Sequence, residues 1–306
     1  MGLAQFIELL TIYLLWTIFL FSPLVTLFTI FLLSWFWSLS MTATLCFIYG
    51  CWIYFDRYTD SQGGRWSDWF RRLPIIKPFV NYFPIKLIKT EDLDPNRNYI
   101  FGFHPHGAFS FGALGNFATD TTHFSSLFPN IRPHLMLLHL QFLFPFTREI
   151  LLKLGACCVS KESCEYFLSG KSGQGHALVI IIGGAREMYL TKNDTMKLYL
   201  KARQGFVRLA LQHGTSYFIW RKRALYTTCL FQFDSQWFTM GPIHLRACTT
   251  STSCNYFGKP IHVTQNTDPT SEDIDRLHIA YVQAVEQLFE INKNNYKLGH
   301  VKLEIV

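Results

Sequence analysis

The stretch "HALVIIIGG", residues 176–184, is a continuous apolar run that is rich in β-branched side chains and ends in two glycines. Such a run is typical of a strand that is buried on both faces of a parallel sheet. Two more segments carry strand signals, "NYIFGF" at 98–103 and "GACCVS" at 155–160. Helical patterns accompany them, "ESCEYFLSG" at 162–170 and "KLYLKARQGFVRLALQHG" at 197–214. This alternation predicts an α/β fold with a mainly parallel sheet and flanking helices.

A long amphipathic helix is predicted near the C-terminus. Asp268-Pro269 ends the preceding segment, and Thr270 or Ser271 can cap the helix that follows. The apolar positions of this helix recur on one face, at Ile274, Leu277, Tyr281, Val285 and Leu288. We interpret this stripe as a packing surface. The sequence has no internal repeat or low-complexity linker, so residues 56–306 are predicted to form one domain.

The N-terminal segment has the composition of a membrane anchor. Residues 9–55 contain no charged side chain. Because one crossing needs about 20 apolar residues, this length suits two transmembrane helices joined as a hairpin over residues 1–55. We place the turn near Trp35–Ser40, where tryptophans and serines interrupt the aliphatic run. The alternative is a turn at Ser22-Pro23 with a re-entrant first segment.

The charge pattern sets the expected orientation and excludes one class of partner. Arginines follow the hairpin closely at Arg57, Arg65, Arg71 and Arg72. The positive-inside rule then places both termini and the large domain in the cytosol. The net charge of +7 is modest and scattered, which argues against nucleic acid and fits an anionic membrane surface or an anionic substrate. The eight cysteines show no disulfide framework, and we interpret them as reduced.

A basic aromatic segment, "RWSDWFRR" at 65–72, follows the hairpin. The pattern suits a helix that lies in the lipid headgroup layer. It equally suits an ordinary amphipathic helix that packs on the core.

The first strand of the domain opens into His104-Pro105-His106-Gly107. Proline restrains the backbone there, and glycine permits a sharp turn or a close approach to a ligand. Three interpretations compete. A histidine can act as a general base at neutral pH, the pair can be structural, or it can begin a metal site. A metal site needs a third ligand, such as His123, His134 or His139, and no acidic or cysteine pair is well spaced to complete it.

Apolar side chains follow this tetrapeptide. Phe109, Phe111 and Phe117 are predicted to line a lipid path. Open α/β folds bind ligands at the carboxyl edge of the sheet, where this segment begins.

A second candidate group follows the strand at 176–184. Gly183-Gly184 are followed closely by Glu187, whose carboxylate could orient a histidine and stabilise its charged form. The alternative is a glutamate favoured only by the start of a helix. No Gly-x-Ser-x-Gly motif is present, which argues against a serine esterase of the α/β-hydrolase class.

Five blocks in order resemble one family. They are "YFPIKLIKT", "NYIFGFHPHG", "FPNIRPHL", "GGARE" and "ARQGFVRLALQHG". They are similar to blocks of the type-2 diacylglycerol acyltransferase family, which includes monoacylglycerol and wax-alcohol acyltransferases. "GFHPHG" with "IRPHLM" looks nearest to the monoacylglycerol branch. The resemblance covers about residues 45–214 and resumes at "GKPIHV" (258–263) through the C-terminal helix.

The resemblance implies a multi-pass endoplasmic-reticulum enzyme, with a lipid droplet as the alternative location. It implies transfer of an acyl group from acyl-coenzyme A to a glycerolipid or alcohol hydroxyl, without a bound cofactor or metal. The expected partners are the bilayer and these substrates, and a homo-oligomer remains open.

The same resemblance suggests roles for particular residues. His104 or His106 would be the base, and Glu187 its carboxylate. Backbone N–H groups near Gly107 or Gly183-Gly184 would hold the oxyanion. Lys201, Arg203 and Arg208 would meet the coenzyme A phosphates, the alternative being a solvated helix face.

One segment departs from the family pattern. After "RLALQHG" the family continues into a Ser-Phe-Gly-Glu-Asn block, which residues 215–257 lack. This leaves two further hypotheses beside an acylglycerol acyltransferase. One is a wax-alcohol or retinol acyltransferase of the same family. The other is a catalytically inactive lipid-binding protein of membranes or lipid droplets.

Overall fold

A computed structural model describes residues 3–82, 85–89, 91–106, 110–190, 195–222, 253–257, 260–293 and 301–306. Gly107 and Phe109 lie outside these described residues, as do residues 223–252 of the segment that departs from the family pattern.

Helices and strands alternate along most of the chain. The helices are α1 Leu3–Leu20, α2 Ser22–Phe36, α3 Leu39–Phe55, α4 Asp68–Arg71, α5 Lys77–Tyr82, α6 Phe111–Ala113, α7 Phe124–Leu127, α8 Pro145–Lys153, α9 Lys161–Leu168, α10 Arg186–Leu190, α11 Gly205–His213 and α12 Ser271–Lys293. The strands are β1 Ile85–Ile88, β2 Tyr99–His104, β3 Arg132–Leu137, β4 Cys157–Cys158, β5 His176–Ile180, β6 Thr195–Leu198, β7 Tyr217–Lys222, β8 Ser253–Phe257 and β9 Lys302–Ile305.

Seven of the nine described strands form one sheet, in the order β1-β8-β7-β2-β5-β3-β4. All neighbouring strands are parallel except β7 and β8, which are antiparallel. β2 is central, with Phe101 opposite Val179 on one side and Phe218 on the other. All six residues of β2 are buried, as expected for a strand covered on both faces. The predicted α/β fold with a mainly parallel sheet and flanking helices is therefore confirmed.

The two faces of β2 pack against different layers. Ile100 belongs to a core cluster formed with α9, α11 and α12. Phe101 and Phe103 belong to the opposite cluster, which includes Phe117, Phe124 and Leu151. Because side chains alternate along a strand, Gly102 and His104 lie on the same face as Ile100 and meet α12.

The C-terminal helix begins as predicted. Thr270 Oγ1 accepts a hydrogen bond from Asp273 N, and Asp273 Oδ2 accepts one from Thr270 N, which forms a capping box. Ile274, Tyr281 and Val285 are buried in the core.

The prediction of one helical segment over 197–214 was wrong in its first part. Residues Thr195–Leu198 form β6, which pairs with β9 in a separate two-stranded parallel sheet. The reason is that buried and exposed side chains alternate here. Met196 and Leu198 are buried, whereas Thr195 and Lys197 are partly exposed. This period of two is the pattern of a strand. The helix starts only at Gly205.

The N-terminal segment is helical, and its helix is interrupted at two places. α2 ends at Phe36 and Ser38 caps α3, inside the turn predicted at Trp35–Ser40. A second break at Phe21 coincides with the alternative turn at Ser22-Pro23. Among the described residues, no helix alone has the length and apolarity for a membrane crossing. α1 and α2 reach that length only as a pair bent by 83°.

An ionic network holds the end of α3 on the domain. Asp56 accepts hydrogen bonds from Arg65 and Arg148, and both arginines also pair with Glu149. Arg148 is buried, so loss of either acidic partner would leave a buried charge underpaired.

The basic aromatic segment at 65–72 divides its side chains between core and surface. Arg71 is buried, donates to the carbonyl oxygens of Leu154 and Phe117, and lies over the Trp66 ring. Burial lowers the pKa of Arg71 to about 10. Trp69 is 73% exposed. The Arg71 side therefore packs on the core, and the Trp69 side faces outward.

Candidate active site

The two histidines of the tetrapeptide have different surroundings. His104 ends β2 and is 1% exposed. The peptide bond to the buried Pro105 is cis. His106 is partly exposed and lines a cavity. Of the two candidate bases, only His106 therefore faces a space that a substrate can occupy.

His104 contacts a residue from the other end of the chain. Its Nε2 lies 2.8 Å from the hydroxyl of Tyr281 on α12. A β-carbon at position 102 would lie 1.9 Å from that hydroxyl, so glycine is required there. Burial raises the pKa of Tyr281 well above its ordinary value, with Tyr217 and Glu187 adding to the effect. Tyr281 therefore keeps its proton and can donate it to Nε2.

Glu187 is fully buried beside both histidines. Its Oε2 accepts a 2.6 Å hydrogen bond from the backbone N of His106, and its Oε1 accepts one of 3.1 Å from the backbone N of Tyr199. Its Oε1 lies 4.0 Å from His104 Nδ1, the ring atom that carries the proton when Tyr281 donates to Nε2. The carboxylate thus holds the backbone at His106 and lies beside the ring of His104.

The Gly183-Gly184 turn makes room for this carboxylate. A β-carbon at position 183 would lie 1.9 Å from the Glu187 carboxyl group. Gly184 has φ +61, a conformation that favours glycine. Its N–H donates to the Ile181 carbonyl oxygen, so this group is already engaged within the turn.

An apolar cavity of about 240 Å³ lies beside His106. Its polar lining side chains are His106, Ser110 and Gln141, and all others are apolar. Leu15 and Phe19 come from α1, so the cavity lies between the N-terminal helix and the carboxyl edge of the sheet. Such a space suits a hydrocarbon chain with one polar end near His106.

The phenylalanines predicted to line a lipid path do not all line the cavity. Phe111 lines the cavity. Phe117 does not, since it is fully buried in the core against Phe103 and Phe124. Phe109 lies outside the described residues.

The other histidines weighed as metal ligands lie in separate surroundings. His134 is hydrogen-bonded to the Gly155 carbonyl oxygen and to the His176 ring. Burial lowers the pKa of His134 to about 3. In the described part of the chain, His139 forms a group with Asp60 and Cys158, with ligand atoms within 4.8 Å of one another. Neither histidine of the tetrapeptide belongs to that group.

Lys201, Arg203 and Arg208, the basic candidates, are all exposed. Arg203 lies 5.3 Å from the ring centroid of Tyr199, and Arg186 lies 4.8 Å from the same centroid. Arg186 was missed by the sequence analysis. Arg208 lies on the exposed side of α11.

Tyr281 was also missed, because the periodicity of α12 places it in a packing stripe. Two signals pointed to it. It is a hydroxyl-bearing residue among aliphatic ones, and Gly102 interrupts a strand interior, where glycine often marks a close approach.

The comparisons with known proteins agree with the resemblance of the blocks. The profile of the diacylglycerol acyltransferase family matches residues 35–237 and 220–305. The chain is 38% identical to 2-acylglycerol O-acyltransferase 1 of Mus musculus, over 81% of each protein. It is 35% identical to diacylglycerol O-acyltransferase 2 of Bos taurus, over 84% of this chain and 78% of the relative.

A wax-forming relative is equally similar. The chain is 36% identical to acyl-CoA wax alcohol acyltransferase 1 of Homo sapiens, over 81% of this chain and 83% of that protein. No solved structure matches. The matches span most of the chain at well over 30% identity, and the chain therefore belongs to the diacylglycerol acyltransferase family.

Proposed function

We propose that the protein is an integral-membrane O-acyltransferase that moves a fatty acyl group from acyl-coenzyme A to the hydroxyl of a mono- or diacylglycerol. Family membership supports the reaction class. The names of two relatives supply the acylglycerol acceptors, and the name of a third supplies the acyl-CoA donor. The observation that carries the proposal is the position of His106 in the wall of an apolar cavity.

The chemistry follows from a base beside a hydrocarbon pocket. His106 takes the proton of the acceptor hydroxyl as that oxygen attacks the thioester carbonyl carbon. A C–O bond forms, the C–S bond breaks, and coenzyme A leaves as a thiolate that accepts the proton from His106. Acyl-coenzyme A is a substrate here, and this route uses neither a covalent acyl-enzyme nor a bound cofactor.

Glu187 and His104 support His106 in this proposal. The carboxylate holds the backbone N of His106 at 2.6 Å, and His104 is held by Tyr281 at 2.8 Å. The first contact is partly buried and the second is fully buried, so the turn that carries His106 is fixed before substrate arrives.

The apolar helices support the membrane part of the proposal. Large side chains of α2 and α3 are strongly exposed, among them Trp35, Leu39, Phe47 and Phe55. A contiguous apolar surface of this kind marks a membrane or protein contact. We place residues 1–55 in the endoplasmic-reticulum membrane, with the termini and the domain in the cytosol and the lipid droplet as a second location.

The test is an acyl-transfer assay on the purified protein with radiolabelled oleoyl-coenzyme A. Monoacylglycerol, diacylglycerol, a long-chain alcohol and retinol are offered separately. His106→Ala should lower the turnover number by about 10²–10⁴-fold, the usual contribution of a general base. His123→Asn is the control, because His123 is an exposed histidine in the left-handed region, which asparagine also tolerates.

The outcomes separate the candidate functions. Acylation of the long-chain alcohol or retinol alone would favour the wax-alcohol or retinol reaction. Transfer to none of the four acceptors would favour the inactive lipid-binding protein, which the departure at 215–257 suggests. Full activity of His106→Ala would remove the proposed base.

A separate experiment tests which side of the membrane the domain faces. Asn193-Asp194-Thr195 is a glycosylation acceptor sequence, and Asn193 lies outside the described residues. A cytosolic domain leaves it unmodified, so a glycosidase-sensitive shift in mobility would reverse the proposed orientation.

A further inference from the structure

Two arginines lie near the ring of Tyr199, next to the candidate active site. The guanidinium carbons of Arg186 and Arg203 lie 4.8 Å and 5.3 Å from the Tyr199 ring centroid. Arg186 also donates a hydrogen bond to the Tyr199 hydroxyl. Both arginine side chains are exposed. We refer to Arg186 and Arg203 as the arginine pair.

The arginine pair is connected to the Glu187 carboxylate by short contacts. The backbone N of Tyr199 donates to Glu187 Oε1 at 3.1 Å, and Glu187 Oε2 holds the backbone N of His106 at 2.6 Å. Arg203 Nη2 lies 3.7 Å from the position that a β-carbon on Gly184 would occupy. The arginine pair therefore flanks the Gly183-Gly184 turn, at the ligand-binding edge of the sheet.

The charges of the arginine pair are not neutralised by nearby carboxylates. Across the described ranges, neither arginine has a carboxylate oxygen within 4.0 Å, whereas Arg65, Arg72 and Arg148 all form ion pairs. Both guanidinium carbons lie within 5.3 Å of one ring centroid, so their positive charges act together there and favour a bound anion. Their planar donors match phosphate oxygens, which guanidinium groups bind with two parallel hydrogen bonds.

We propose that the arginine pair binds the nucleotide phosphates of acyl-coenzyme A. This inference rests on the proposed function, since it assigns the donor to the same site. The cavity beside His106 is apolar and suits the acyl chain, whereas the charged nucleotide has to remain at the surface. The arginine pair offers that surface within a few contacts of His106.

The test compares two donors that differ only in the nucleotide. Oleoyl-coenzyme A carries the phosphates, and oleoyl-pantetheine presents the same thioester without them. Arg186→Ala and Arg203→Ala should each lower kcat/KM for oleoyl-coenzyme A about tenfold, mainly through KM, as for loss of a charged hydrogen bond. Neither variant should change kcat/KM for oleoyl-pantetheine. Arg186→Lys and Arg203→Lys should recover part of the loss, because the charge is kept.

Arg132→Ala is the matched control. Arg132 is exposed at the amino end of β3, the opposite edge of the sheet. The substitution Arg132→Ala removes one positive charge from the molecule and should leave kcat/KM unchanged for both donors. A tenfold loss in this control would mean that net charge, not the arginine pair, governs donor binding.

The remaining outcomes are decisive. Equal losses with both donors, or no loss with either, overturn the proposal. Binding of arginine-pair variants to vesicles that contain phosphatidic acid distinguishes a lipid phosphate from the nucleotide. Weaker vesicle binding with unchanged oleoyl-coenzyme A kinetics would overturn the assignment to coenzyme A.

Failure of the proposed function is recognised separately. If the unsubstituted protein acylates no acceptor from either donor, calorimetry with coenzyme A alone decides the inference. About tenfold weaker binding of coenzyme A by Arg186→Ala and Arg203→Ala would support the phosphate site in a non-catalytic protein. Equal binding by all variants would overturn it.

Discussion

The hydroxyl of Tyr281 lies 2.8 Å from Nε2 of His104 and joins the C-terminal helix to the end of the central strand. The contact spans 177 residues of sequence and is buried at both ends. It positions the turn that carries His106, so the proposed base depends on a helix that the periodicity alone marks as packing.

Loss of the Tyr281 hydroxyl should destabilise the protein. Tyr281→Phe leaves the buried Nε2 of His104 without this partner, and the free energy of unfolding should fall by about 1–3 kcal/mol. Chemical unfolding in detergent measures this change. Tyr166→Phe is the control, because Tyr166 is partly exposed on α9. Equal stability of Tyr281→Phe and the unsubstituted protein would contradict the prediction.

Gly102→Ala should disturb the same contact from the strand side. The added β-carbon would lie 1.9 Å from the Tyr281 hydroxyl, so α12 or β2 has to shift. Overpacking of this kind costs about 1–3 kcal/mol of unfolding free energy. In the double variant Gly102→Ala, Tyr281→Phe the two losses should be less than additive, since both act on one contact. Full additivity would count against a shared mechanism.

Glu187 should respond differently to two substitutions. Glu187→Gln keeps an oxygen that can accept from one backbone N–H, whereas Glu187→Ala leaves the N–H groups of His106 and Tyr199 without this buried partner. Glu187→Ala should therefore be less stable than Glu187→Gln by about 1–3 kcal/mol. Thermal unfolding of the two purified variants gives the comparison. The opposite order would mean that the carboxylate does not hold this turn.

Filling the cavity should change the acyl-chain preference. Leu137→Phe adds volume to the wall beside His106, so long chains should fit less well than short ones. The ratio of kcat/KM for decanoyl- to oleoyl-coenzyme A should rise several-fold. Leu140→Phe is the control, because Leu140 is 57% exposed and does not line the cavity. An unchanged ratio in Leu137→Phe would show that the acyl chain lies elsewhere.

Stability should fall in weak acid because of His134. Burial lowers the pKa of His134 to about 3 from its ordinary value of 6.5. Between these pH values the unfolded chain binds a proton that the folded protein does not, so stability is lost as pH falls below 6.5. The contribution should be about 2 kcal/mol at pH 5.

Urea unfolding at pH 5 and pH 7.5 measures this dependence. In His134→Gln the loss of stability between the two pH values should be smaller. It should not vanish, since burial also lowers the pKa of His176. If His134→Gln lost as much stability between pH 7.5 and pH 5 as the unsubstituted protein, His134 would be excluded as the source of the pH dependence.

The sequence by itself determined the elements whose signal is local. The apolar run before Gly183-Gly184, the capping residues before α12 and the break near Ser38 each depend on side chains within a few positions of one another. The wrongly predicted first part of the helix over 197–214 shows the limit of this reasoning. There the partner strand lies at Lys302–Ile305, and only pairing with it distinguishes the two structures.

Only the tertiary structure decided how the site is assembled. The tetrapeptide offered two equivalent histidines, and the fold buried His104 against Tyr281 while leaving His106 on the cavity. Glu187 was predicted as a partner for an imidazole, and only the fold shows that its carboxylate also binds the backbone N–H groups of His106 and Tyr199. The physical reason is that the pairing of strands and the packing of helices determine which side chains come into contact. Both depend on interactions between residues that are far apart in the chain.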